Sequence, residues 1–208
     1  MQFISHSGAP LSCLDAAGTA RSIADKIAFG HCPASAALQT RARDLRDPTS
    51  VAGRVYSGGA WRDTAVHAQL AAVLGDTLGG ALRDDFEWYC CRAAFFHNDA
   101  HYEGRLFGTW CIAGAELELV FPRASVRLSS APSAITVFDP YEVHGILAPG
   151  AQQFSATDYE EIEPSLILGF ELDLTPAIAA AFGIKPGATG RIISSATRIA
   201  ASSGAFEP

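Results

Sequence analysis

The sequence predicts a mainly β protein with flanking helices, and three observations carry that reading. From Phe86 to Leu174 the chain is a series of short β-rich runs separated by Gly and Pro turn signals. Apolar residues recur at helical spacing only before this stretch and briefly after it. The chain has 208 residues, of which 49% are hydrophobic and 18% charged, enough to bury the core of one compact domain. Residues 1–208 therefore read as a single domain: a mostly helical support over 1–85, a β core over 86–174, and a C-terminal helix and tail over 175–208.

In the support, Asp15 is placed to cap a helix running to about Phe29, with Ala20, Ile23, Ala24, Ile27 and Ala28 on one face. Gly30 and Pro33 interrupt it, and residues 34–46 carry further Ala-rich helical turns. Val55 and Tyr56 suggest a short strand. Asp63 or Thr64 starts a second helix on Val66, Leu70, Val73 and Leu74, and Gly79-Gly80 ends it. Strands are expected over 86–97, 105–112, 116–121, 125–129, 134–139, 143–147 and 165–173, which suggests a sandwich or barrel. The acidic segment 150–164 reads as a solvated loop. Thr175-Pro176 opens a short helix to about Phe182, with Pro at its first position.

Composition narrows the function. A net charge of −7 argues against a nucleic-acid binder resting on a basic face. No apolar run approaches the ~20 residues that cross a bilayer. No basic segment followed by an apolar one precedes Ser12, so no secretory leader is expected. Five cysteines (Cys13, Cys32, Cys90, Cys91, Cys111) include no Cys-x-x-Cys pair, which points to reduced thiols and a cytoplasmic protein. A homodimer is compatible with the sequence.

The chemistry concentrates in Phe95-Phe96-His97-Asn98-Asp99-Ala100-His101, which ends a strongly apolar strand. Residues two apart on a strand share a face, so His97 and Asp99 project together and offer a divalent metal one imidazole and one carboxylate. His144, at the edge of a later strand, is the best third ligand. Two histidines and one carboxylate on one face of a metal form the facial triad of non-heme iron(II) oxygenases. Taken alone, a His-x-Asp is commonly a strand-end His beside a turn Asp that caps backbone amides. His101 continues the same parity and offers an alternative ligand set with Glu103 or His144. The pair His97 and Asp99 is preferred because the chain should leave the sheet after Asp99.

The stretch 95–172 resembles the core of the iron(II)- and 2-oxoglutarate-dependent dioxygenases, a double-stranded β-helix, or jelly roll, of the cupin class. The resemblance rests on His97-x-Asp99 after one strand, on Ile135 to Asp139 leading to His144, and on the strands between them. It implies a jelly roll with the N-terminal helices packed on one face. It also implies iron(II) held by His97, Asp99 and His144, with 2-oxoglutarate as cosubstrate, molecular oxygen and a small-molecule substrate. One departure stands out. The family commonly holds the far carboxylate of 2-oxoglutarate with an Arg on its eighth strand. Here no Arg or Lys follows His144 before Lys185, and the only other Lys is Lys26. Arg105 and Arg127 are the candidate substitutes, because a bidentate guanidinium matches a carboxylate. Arg92 has the wrong parity and Arg123 follows a turn proline. Two rivals remain: a metal cupin with 2-oxoglutarate-independent chemistry, which the missing Arg favours, and a jelly-roll binding protein without catalysis.

Among the other residues, Trp110, Phe95 and Phe121 are expected in the barrel core, and Trp88 and Tyr89 in packing. Tyr141 and Glu142 are placed to orient the distal His. His6, His31 and His67 have no partner at ligand spacing.

Overall fold

The computed structural model describes residues 1–14 and 18–207. Its elements are β1 (Gln2–Ser5), β2 (Leu11–Leu14), β3 (Ala20–Ser22), β4 (Lys26–His31), α1 (Ala36–Asp44), β5 (Val55–Trp61), α2 (Thr64–Leu74), α3 (Asp76–Gly79), β6 (Leu82–Cys91), β7 (Ala94–His97), β8 (Arg105–Ala113), β9 (Glu118–Phe121), β10 (Val126–Ser129), β11 (Ala134–Phe138), β12 (His144–Leu147), β13 (Ser165–Asp173), α4 (Pro176–Ala181) and β14 (Arg191–Ile193). Among the described residues they form a large sheet, β1-β4-β11-β8-β13-β6-β5, a small sheet, β10-β9-β12-β7, and a minor sheet, β14-β2-β3.

From β6 to β13 the chain passes repeatedly between the large and small sheets, and every pairing within those two sheets is antiparallel. That path is the winding of a double-stranded β-helix. The strand expected over 86–97 is two strands, β6 and β7, separated by a corner where Ala93 adopts φ 108°. The corner moves the chain from one sheet to the other, which a continuous strand could not do.

The N-terminal region is not mostly helical. The helix expected to run to Phe29 is replaced over its described part by β3 and β4, and its proposed cap, Asp15, lies outside the described residues. Helical spacing of Ile23, Ala24, Ile27 and Ala28 is overridden by backbone pairing: β4 bonds to β11 on one side and β1 on the other. Helices α2 and α4 start where expected, after Asp63 and Thr175, but α2 stops at Leu74 and the expected end at Gly79-Gly80 belongs to the separate α3. Ser35 accepts a bond from the Leu38 N–H, Asp63 from those of Ala65 and Val66, and Thr175 from that of Ile178. Val66, Leu70 and Leu74 of α2 are buried against the outer face of the large sheet.

Strand parity divides the core in two. Phe86, Trp88, Leu106, Trp110, Leu168 and Phe170 face the helices, whereas Cys91, Phe107, Phe138 and Ile167 face the small sheet. Trp110, expected inside the barrel, is therefore outside it, and its indole N–H donates to the Cys32 carbonyl at 2.8 Å. Phe121 is in the barrel, but Phe95 is 40% exposed. All five cysteines are buried and none is in a disulfide. No described helix is long and apolar enough to cross a membrane.

Gly108 on β8 has no room for a side chain, because a methyl group there would be driven into the Phe170 ring. Gly108→Ala is expected to destabilise the protein by about 1–3 kcal/mol, read as a lower urea midpoint at unchanged slope. An unchanged midpoint would mean that β8 and β13 separate freely.

Candidate metal centre

The double-stranded winding sets His97, at the end of β7, directly opposite His144, at the start of β12. Asp99 lies just past β7, where its N–H donates to the Pro140 carbonyl at 2.7 Å and so ties the two loops that carry the ligands. His97 Nε2 is 3.6 Å from Asp99 Oδ1, and His144 Nε2 is 3.4 Å from Asp99 Oδ2. One ligand atom from each residue lies within 4.8 Å of the others, and this is the His/Cys/Asp/Glu cluster of that kind among the described residues. His101 and Glu103 do not join it. The His101 ring instead lies against Tyr102, at 4.1 Å between centroids.

Backbone carbonyls fix both imidazoles. His97 Nδ1 is 2.7 Å from the Phe95 carbonyl and His144 Nδ1 is 2.9 Å from that of Glu142. A carbonyl only accepts, so Nδ1 carries a proton and Nε2 is the nitrogen turned towards Asp99 in each ring. Burial, reinforced by neighbouring His144, lowers the His97 pKa and favours the neutral ring that ligates metals. Burial pushes the Asp99 carboxyl up, but the hydrogen bond and charge of His144 outweigh it, so the net shift is downward. Two imidazoles and one carboxylate on one side, with the cavity on the other, fit a divalent ion that keeps open coordination positions.

The supports around the triad are ionic and buried. Arg123 pairs with Glu142, whose side chain is 2% exposed. Arg21 holds Asp139 at 2.6 Å, and the N–H groups of Ala24 and Tyr141 also donate to Asp139. Glu142 thus reaches His144 through its carbonyl, while its carboxylate holds the loop.

A cavity of about 210 Å³ opens beside the triad. Its walls include Phe107, Thr109, Leu119, Phe138, Ile146 and Ile167. The Tyr89 and Tyr102 hydroxyls, 2.7 Å apart, stand at one side. Val55 and Ser57 reach it from β5, outside the stretch that the sequence marked as the core. The inward parity of β6 and β8 was the signal for Tyr89 and Thr109, and no sequence signal marked Val55 or Ser57.

The structure does not bring Arg105 or Arg127 to this cavity. Arg105 pairs with Glu171 at the end of β13, and Arg127 holds Glu118 at 2.6 Å. Arg92 donates to the carbonyls of Pro48, Glu160 and Ile162, and so ties down the acidic loop.

The winding and the cluster together define a jelly roll with a candidate mononuclear metal centre. No family model matches the chain, and no curated protein matches it. Among solved structures it is similar to a prolyl-4-hydroxylase of Pseudomonas putida, at 14% identity over 71% of this chain and 92% of that chain, with a TM-score of 0.46. It is also similar to EctD from S. alaskensis with bound Fe, at 13% identity over 71% and 72% of the two chains and a TM-score of 0.40. A third similar structure is the non-heme alpha ketoglutarate dependent carbocyclase SnoK from nogalamycin biosynthesis, at 11% identity over 77% and 87% and a TM-score of 0.39.

Proposed function

We propose that this protein is a non-heme iron(II) oxygenase acting on a small molecule, with the ion held by His97, Asp99 and His144. The observation that carries this reading is the triad itself: two imidazoles fixed at Nδ1 by carbonyls, both Nε2 atoms facing one carboxylate, at the edge of a cavity. Bound there, iron(II) supplies the redox chemistry that couples molecular oxygen to oxidation of a C–H bond.

The chain's own residues do the rest. The carbonyls of Phe95 and Glu142 keep the rings aimed and in one tautomer. The apolar walls exclude water and hold the substrate's body, which limits the orientations of the bond presented to the ion. Tyr89 and Tyr102 supply hydroxyls to a polar group of the bound molecule.

2-Oxoglutarate fits less well than the metal does, because no guanidinium or ammonium lines the cavity among the described residues. This favours the 2-oxoglutarate-independent reading as the second possibility. Anaerobic reconstitution tests the metal assignment. The purified protein is expected to take up one iron(II) per chain, measured by metal analysis after removal of excess. Substoichiometric uptake would leave a binding protein without metal chemistry.

A further inference from the structure

The charges around the cavity restrict what can fill it. A divalent ion beside the single carboxylate Asp99 leaves one positive charge. One anionic group on the incoming ligand makes the site neutral. A second carboxylate would add an unpaired negative charge inside a barrel walled by Leu119, Phe138, Ile146 and Ile167.

Among the described residues no guanidinium or ammonium lines the cavity to compensate that charge. On β13 the inward position facing the cavity is Ile167, which is buried. Besides the triad, the polar side chains on the wall are the hydroxyls of Tyr89, Tyr102, Thr109 and Ser57 and the imidazole of His101, which lies against Tyr102 at the mouth. Burial holds both tyrosine hydroxyls above their usual pKa, so they donate hydrogen bonds but carry no charge. The charges that act on Tyr102 are those of Asp99, Glu87 and Glu171, and all are negative. Ser57, on the cavity wall, is bonded to Glu87 at 2.5 Å. Arg105 sits beyond and is paired with Glu171. Apolar side chains reach the surface nearby: Val55, on the cavity wall, is 44% exposed, and Phe95, whose ring lies edge-on to His97, is 40% exposed.

We infer that the ligand completing the metal site is a monoanion with an apolar body, of the class of 2-oxo acids with aliphatic or aromatic side chains, and not the dianion 2-oxoglutarate. The inference rests on the metal reading above. It goes further by naming the chemical class the barrel selects, and by assigning selectivity to the uncharged wall around Ile167.

Two probes with the same chelating head test it: 4-methyl-2-oxopentanoate and 2-oxoglutarate. Each is titrated calorimetrically into the iron(II)-loaded full chain without oxygen. The apolar acid is expected to bind about 10-fold tighter or better. Equal or tighter binding of 2-oxoglutarate would overturn the inference while leaving the metal assignment intact. Binding of neither probe to the loaded protein would overturn it as well. Failure to load iron(II) at all would sink the metal reading and the inference together, and is seen before any probe is added. Ile167→Arg supplies the missing cation and is expected to shift preference towards 2-oxoglutarate by about 10-fold. A folded variant with unchanged preference would show that the wall does not set selectivity. Should that variant not fold, the wild-type ratio still decides.

Discussion

His97→Ala and His144→Ala are each expected to weaken divalent-metal binding by more than about 100-fold, beyond what loss of an outer support of a metal ligand costs. Each removes one of three ligand atoms, and no other described His, Cys, Asp or Glu is close enough to take its place. The measurement is equilibrium competition between the protein and a chromophoric chelator for cobalt(II). His101→Ala serves as the control and should stay within about 3-fold of wild type, since His101 lies against Tyr102 outside the cluster. Near wild-type affinity in either ligand variant would sink the triad. A loss in His101→Ala equal to theirs would revive the alternative set that strand parity allowed.

Arg123→Met is expected to give the largest loss of stability, about 3–5 kcal/mol at neutral pH, because it leaves a buried carboxylate without its partner. The Arg123 and Glu142 side chains are 13% and 2% exposed. Burial lifts the Glu142 pKa, Arg123 opposes that, and the net shift is upward. An acid whose pKa is raised by folding favours the fold when protonated, so it withholds stability as pH rises through its folded pKa. Without Arg123 the folded pKa climbs further and this loss deepens. The deficit of Arg123→Met should therefore shrink as pH falls towards the unfolded carboxyl value of about 4.3. Urea denaturation of both proteins at pH 7 and pH 5 measures it. A deficit that is constant or grows on acidification would mean that Glu142 is not the group left uncompensated. The double variant Arg123→Met, Glu142→Gln should regain most of the stability at pH 7.

Much of the β core was legible because its signals are local. Gly and Pro punctuation marked the strands from β8 to β13 closely, and Asp63 and Thr175 marked their helices through side chains that satisfy exposed N–H groups. The triad was legible for the same reason, since His97 and Asp99 are close in sequence and the intervening strands bring His144 to them. What escaped is non-local. Residues 20–29 have helical spacing, and pairing with β1 and with β11, the latter more than a hundred residues away, makes β4 a strand. The Arg21–Asp139 pair spans a similar gap. The partners of Arg105 and Arg127 could not be read either, because a guanidinium's choice among nearby carboxylates is settled by packing.

The way β4 and β5 flank the barrel bears on how the chain can be divided. In the large sheet β4 covers the outer edge of β11 and β5 covers that of β6, so the two outermost strands of the jelly-roll core are each paired by a segment from the first 61 residues. A fragment starting near residue 86 would keep every strand of the winding from Phe86 onward and the whole His97, Asp99, His144 cluster. It would also present two bare rows of N–H and C=O groups. Such a piece would find its missing neighbours in other copies of itself. The N-terminal segment is thus part of the sheet that the jelly roll is built on, and trimming it would strip both flanks of the core at once.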